Sequence, residues 1–218
     1  MIQEFCAENF TAIPKALREG VQRIELCDNL AVGGTTPSIG VMAESLAYTS
    51  EQGIPLMVMI RPRGGDYVYN DIELKIMERD ILEAKKIGID GIVIGCLTQE
   101  HLIDEDAMLD LLEQAQGLQV TFHMAFDEIP KDKQLAAVTW LAEQGVTRIL
   151  THGGPLDQPV ETFYPELKEL LAAADPRMTF IIGGGITAQN KNQVLSTLGC
   201  VELHGTKLIN LTAKDTKY

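Results

Sequence analysis

The sequence predicts an α/β fold: a single TIM-type (β/α)8 barrel whose eighth helix is short or missing. Three observations carry this. There are eight short apolar runs, an amphipathic stretch lies between each successive pair, and the chain has only 218 residues to hold them. Strands alternating with helices argue for a parallel sheet with right-handed crossovers. Such barrels need at least ~200 residues, so residues 1–218 fit one barrel domain with little to spare. A doubly wound open sheet is the alternative, and eight repeats in so short a chain favour closure.

The elements follow in order. The first run is Ile2–Cys6, followed by a helix over Thr11–Arg18 that ends at Gly20. Arg23–Cys27 leads through a Gly-rich loop to a helix over Ser38–Gln52. Leu56–Ile60 precedes a charged helix over Asp71–Lys86 that closes at Gly88. Gly91–Gly95 precedes a helix over Asp104–Gln116, and Gln119–His123 precedes one over Asp132–Gln144 that closes at Gly145. Arg148–Thr151 leads to Glu161–Ala174, and Thr179–Ile182 to Ala188–Leu198. Val201–His204 is the eighth run, and Asn210–Tyr218 is a short polar tail. Helices that close on Gly before the next strand support these boundaries.

A net charge of −13 argues against general nucleic-acid or anionic-membrane binding, which needs a basic face. No apolar run is long enough to span a bilayer. The start, Met1-Ile2-Gln3-Glu4-Phe5, lacks the basic and apolar regions of a signal peptide, so a cytoplasmic location is expected. The four cysteines, Cys6, Cys27, Cys96 and Cys200, form no CxxC pair and are not expected to form structural disulfides there.

In these barrels the site lies at the C-terminal ends of the strands, and side chains alternate between interior and helix layer. With Ile24 and Leu26 facing the helices, Glu25 and Cys27 face inward, as do Glu4 and Cys6 on the first run. Met57, Met59 and Arg61 share a face, as do Thr121 and His123, and Glu202 and His204. Buried charges cost several kcal/mol each unless paired. An interior holding Glu4, Glu25, Arg61, His123 and His204 therefore suggests paired ions around a ligand or metal, or a self-satisfied network in which Arg61 pairs with the two glutamates.

The loops add candidates. Leu30–Ser38 carries the glycine pair Gly33-Gly34, and Ser38 suits a helix cap. Arg61-Pro62-Arg63-Gly64-Gly65-Asp66 places two arginines where a carboxylate or phosphate could bind, or where Arg63 pairs with Asp66. His123 precedes Asp127 with continuing parity if the chain stays extended, a pair suited to acid–base work or metal ligation. His152 is within reach of the mouth, whereas His101 is expected at the surface. Gly183-Gly184-Gly185 follows the seventh run, where backbone N–H groups often hold phosphate, although any tight turn there needs glycine.

Several of these stretches resemble the CutC family, known as copper homeostasis proteins. They are Arg23-Ile24-Glu25-Leu26-Cys27, Gly33–Ser38, Met59–Tyr69, Phe122–Asp127, Ile149–Gly154 and the Gly183–Gly185 loop. The resemblance runs from Glu4 to about His204 and implies a TIM barrel, a cytoplasmic location and copper handling, with Cys6 and Cys27 as Cu(I) ligands. Soft thiolates favour Cu(I), Met57 or Met59 could add a thioether, and small buried cysteines are also ordinary core residues. Met124 stands where the family usually has Arg, His152 where Ser is usual, and Glu202–Lys207 differs from the usual ending.

Two functions follow. One is a Cu(I)-binding homeostasis protein using Cys6 and Cys27. The other is an enzyme acting on a small phosphorylated or carboxylated metabolite. In it Glu4, Glu25, His123 and Asp127 move protons or hold a divalent metal, while Arg61, Arg63, Gly183, Gly184, Gly185 and His204 hold the anion. The expected partner is a metal ion or small anion. No nucleic acid, membrane or nucleotide cofactor is expected, and a homodimer is compatible with a small acidic barrel.

Overall fold

A computed structural model describes residues 1–200, 202–212 and 215. Eight strands run parallel and close in chain order, β1 to β8, with β8 returning to β1. They are β1 (Ile2–Glu8), β2 (Arg23–Cys27), β3 (Leu56–Met59), β4 (Gly91–Ile94), β5 (Gln119–Phe122), β6 (Arg148–Thr151), β7 (Thr179–Ile182) and β8 (Glu202–Gly205). Between them lie α1 (Ile13–Arg18), α2 (Ile39–Ser50), α3 (Asp71–Ile87), α4 (Glu105–Gln114), α5 (Lys131–Glu143), α6 (Tyr164–Ala173) and α7 (Lys191–Leu198). No helix follows β8 among the described residues. Val201, expected to open the eighth strand, and residues 213, 214 and 216–218 of the expected tail lie outside the described residues. No described helix is long and apolar enough to cross a membrane.

Local chemistry sets the helix ends. Ser38 caps α2 by accepting from the Val41 N–H at 3.3 Å. Asn70 and Glu73 form a reciprocal capping box at α3: the Asn70 carbonyl oxygen accepts from Ile72 and Glu73 N–H, and the Glu73 carboxylate accepts from Asn70 N–H. Gly88 then ends α3 at φ +91°, a conformation that a side chain would strain. Two helices start later than their sequence pattern suggests. A 3-10 turn, Val160–Phe163, precedes α6, and Asn190 holds a turn on Thr187 before α7.

Parity sorts the strands as expected. Ile24, Leu26, Leu56, Val58 and Ile60 join the large apolar layer under the helices. Cys6, Cys27, Met57, Met59 and Val93 form a separate cluster inside the barrel. Gly91 makes room for Met57: a methyl group there would overlap its thioether end and the Gln119 carbonyl.

One strand ends sooner than expected. β5 stops at Phe122, because His123 caps a 3-10 turn, Met124–Glu128, with its Nδ1 accepting from the Ala125 N–H at 3.2 Å. The chain is therefore not extended to Asp127, and the shared parity of His123 and Asp127 is lost.

Candidate active site and thiol centre

The register places Cys6 beside Glu25 and Glu4 beside both Arg23 and His204. From these positions a chain of polar side chains fills the barrel interior between β8, β1 and β2. Arg23 donates through Nε to Glu4 and through a terminal nitrogen to Glu202. His204 Nδ1 lies 2.8 Å from the other Glu4 oxygen, and its Nε2 lies 3.8 Å from Glu25. Glu25 Oε1 in turn lies 3.3 Å from Cys27 Sγ and 3.6 Å from Cys6 Sγ.

The sequence reading assigned the cationic role in this network to Arg61, and the structure gives it to Arg23. Arg23 and Arg148 carry the same inward parity as Glu25, the available signal. Arg148 donates to the Thr121 hydroxyl at 3.1 Å and faces the Met57 sulfur at 3.6 Å.

Burial and charge split the titrating groups. Burial pushes Glu4 up, but His204 and the Arg23 guanidinium more than offset it and leave its carboxyl at about 2. Glu25 lacks a guanidinium partner; burial, reinforced by Cys6 and Glu4, pushes it up to about 8 against the pull of His204. A hydrogen bond from Cys27 is the main reason Cys6 falls to about 5, and the same bond followed by burial raises Cys27 well above a free thiol. Burial pulls His204 down, yet Glu25, Cys6 and Glu4 around it outweigh burial and raise it well above a free imidazole. Folding thus favours the thiolate at Cys6, the thiol at Cys27 and the imidazolium at His204.

Two triads have metal-like spacing. Donor atoms of Cys6, Glu25 and Cys27 lie within 4.8 Å of one another, as do those of Glu4, Glu25 and His204. The first suits a soft ion, since it supplies two sulfurs beside Met57 and Met59. The second is occupied by protons and partners: a protonated imidazole cannot ligate, and Glu4 already carries Arg23. A divalent ion there would have to displace the His204 proton and compete with Arg23 for Glu4.

The remaining candidates lie nearer the mouth. Arg61 is 3% exposed; Nη1 donates to the Val32 and Gly34 carbonyls at 2.9 and 3.0 Å and Nη2 to Gly65 at 2.8 Å. It therefore pins the loops after β2 and β3, and pairs with neither glutamate. Arg63 is engaged by Asp66 and Glu73. Asp127 accepts from the Thr151 hydroxyl and from the His152 and Gly153 N–H groups, which ties the turn after β5 to the loop after β6. His152 is buried between the Gly183 and Gln158 carbonyls, each 3.0 Å from a ring nitrogen. In the glycine loop, Gly183 N–H bonds Thr151. Gly184 packs against His152 and Leu156 at φ +75°, whereas Gly185 faces open space. His123 is buried, and burial together with Arg61 lowers its imidazole to about 3.

The model of the CutC family matches residues 1–209. The family protein CutC of Enterococcus faecalis is 60% identical over 209 residues, 96% of this chain and all (100%) of that protein. The human copper homeostasis protein cutC homolog is 40% identical over 203 residues, 93% of this chain and 72% of that one. A solved CutC structure from Streptococcus agalactiae superposes with a TM-score of 0.93 at 46% identity, covering 96% of this chain and 100% of that chain. A phosphonopyruvate hydrolase bound to oxalate and Mg²⁺ superposes at 0.67 with 12% identity, over 94% of this chain and 74% of that one, and so shares the fold alone. The sequence motifs, the closed barrel and these relatives agree: the chain belongs to the CutC family.

Proposed function

We propose that this protein acts in copper homeostasis by binding Cu(I) inside the barrel through Cys6 and Cys27. One observation carries the reading: two thiols from neighbouring strands meet on a single Glu25 oxygen. Thiolates are the ligands Cu(I) prefers, and folding already favours the thiolate at Cys6. Cys27 must lose its proton when metal binds. The four cysteines are free, as a reducing cytoplasm would keep them. The copper homeostasis name of the human relative agrees with this reading. Competition of the protein against a Cu(I) chelator is the test. Stoichiometric binding should vanish in the variant combining Cys6→Ser with Cys27→Ser, and undiminished affinity there would overturn the proposal.

A second reading, an enzyme acting on a small anionic metabolite, is favoured by a different observation. Glu25 Oε2, Arg61 Nε and His123 Nε2 are buried with no hydrogen-bond partner among the described residues. Buried polar atoms without partners are rare and costly, and they concentrate where a ligand is to be met. Consumption of one compound from a panel of carboxylated and phosphorylated metabolites, lost in Glu25→Gln, supports this reading; no turnover of any of them removes it.

A further inference from the structure

At the ends of β3 and β5, two unpartnered nitrogens share one neighbour. The Arg61 guanidinium carbon lies 4.9 Å from the centre of the Tyr67 ring, and the His123 ring centre lies 4.8 Å from it. Both side chains are 3% exposed, and Tyr67, half-buried, roofs them. The tautomer of His123 follows from its bonds. Nδ1 accepts the Ala125 N–H, so in the neutral ring the proton sits on Nε2, which is then a donor without an acceptor. Arg61 Nε–H is another. Two donors and one positive charge thus lie against the Tyr67 ring, with the Tyr69 hydroxyl, buried and likewise without a partner, as the protein group beside Arg61.

We propose that Arg61 Nε–H and His123 Nε2–H, behind the Tyr67 ring, recognise a small monocarboxylate. The charge balance selects that class. Arg63 is neutralised by Asp66 and Glu73, and the Lys131 ammonium is spent on the Gly153 carbonyl, which leaves Arg61 as the cation. Carboxylates crowd the rim: Asp127, Glu128 and Asp157 line a 420 Å³ cavity beside Tyr67, and Asp66 and Glu128 line one of 270 Å³ on its other border. A single cation within an acidic rim matches a monoanion and disfavours a phosphate dianion. Burial and Arg61 keep His123 neutral, so it contributes a hydrogen bond and no second charge. Entry requires the Tyr67 ring to swing toward one of the flanking cavities.

This inference deepens the small-anion reading and is independent of the thiols. The experiment is an NMR titration of protein labelled with ¹⁵N-histidine, using acetate as the probe and chloride as the control. Acetate should shift the His123 Nε2 resonance saturably, in wild type and equally in the variant combining Cys6→Ser with Cys27→Ser. Arg61→Gln should weaken the response about tenfold, as expected for loss of a hydrogen bond to a charged group. Tyr67→Ala, which removes the roof, should bind acetate at least as tightly as wild type. An unmoved resonance in both wild type and Tyr67→Ala, or an equal shift with chloride, overturns the site and means that the Tyr67 π-face satisfies both donors. A response to inorganic phosphate with none to acetate overturns the carboxylate class while the small-anion reading survives. Saturable acetate binding without turnover of any metabolite sustains the site and removes the catalytic reading.

Discussion

Glu4 and Glu25 enter the same barrel interior from neighbouring strands, 0% and 2% exposed, yet Glu4 is ionised and Glu25 holds its proton at neutral pH. The difference is the His204 hydrogen bond, made to Glu4 at 2.8 Å, and the Arg23 guanidinium beside it. Arg23 reaches Glu4 and Glu202 but not Glu25, whose cationic neighbour is His204 at 3.8 Å. Two carboxyls of the same chemistry thereby take opposite roles, one an anchor and one a proton carrier beside the thiols.

The split makes stability depend on pH in a defined sense. Glu25 rises from 4.5 to about 8 on folding, so its contribution is complete below pH 4.5 and is lost as pH climbs through 8. Glu25→Gln removes that loss. Relative to wild type, the variant should gain about 1.4 kcal/mol per pH unit between those limits. His123, lowered from 6.5 to about 3, acts in the other direction: its contribution is complete above 6.5 and falls away toward 3. Urea titrations across this range check both; parallel curves for variant and wild type would contradict the assignment.

Removing Arg23 should be costly. Arg23→Met leaves Glu202 buried without its counter-ion and Glu4 with His204 alone, and should destabilise the fold by about 3–5 kcal/mol. Adding Glu4→Gln to Arg23→Met should recover part of this, because one buried charge short of a partner disappears. A double-mutant cycle in denaturant measures the coupling.

The Cys6 thiolate depends on its neighbour. Its midpoint of about 5 rests first on the hydrogen bond from Cys27. Cys27→Ala should move the Cys6 midpoint upward, toward the 9.0 of an ordinary thiol. Ultraviolet thiolate absorbance against pH reports it, and a midpoint that stays near 5 would show that His204 alone suffices.

Asp127 has a positional role that a conservative change exposes. Asp127→Asn keeps the shape but turns one acceptor into a donor facing the Thr151 hydroxyl or the His152 and Gly153 N–H groups. A loss of about 1–3 kcal/mol is expected, the cost of leaving a buried donor unsatisfied. Cu(I) affinity should not change, since Asp127 lies outside the thiol cluster.

Much of this was legible in advance. Apolar runs separated by Gly-closed helices located all eight strands, and alternation from Ile24 and Leu26 alone placed Glu25 and Cys27 inside. Legibility failed where a side chain overrides backbone parity. The His123 imidazole caps a 3-10 turn, so the spacing to Asp127 stops reporting direction. Arg61 lies beyond the last residue of β3, and its long side chain turns to three loop carbonyls, a choice no period encodes. Arg23 was overlooked for the converse reason: it obeyed the parity, but it opens its strand, at the end away from the mouth.

Closure of the barrel also orders its assembly in time. The Glu4–His204 bond joins residues 200 positions apart, across the seam between β1 and β8. During synthesis the first strand emerges early and waits, with one edge unpaired, for nearly the whole chain to follow. The thiol of Cys6, Glu4 and Glu25 exist long before the imidazole that completes their network. A chain cut before residue 204 has the two thiols without that partner, and the bond across the seam marks the closed barrel.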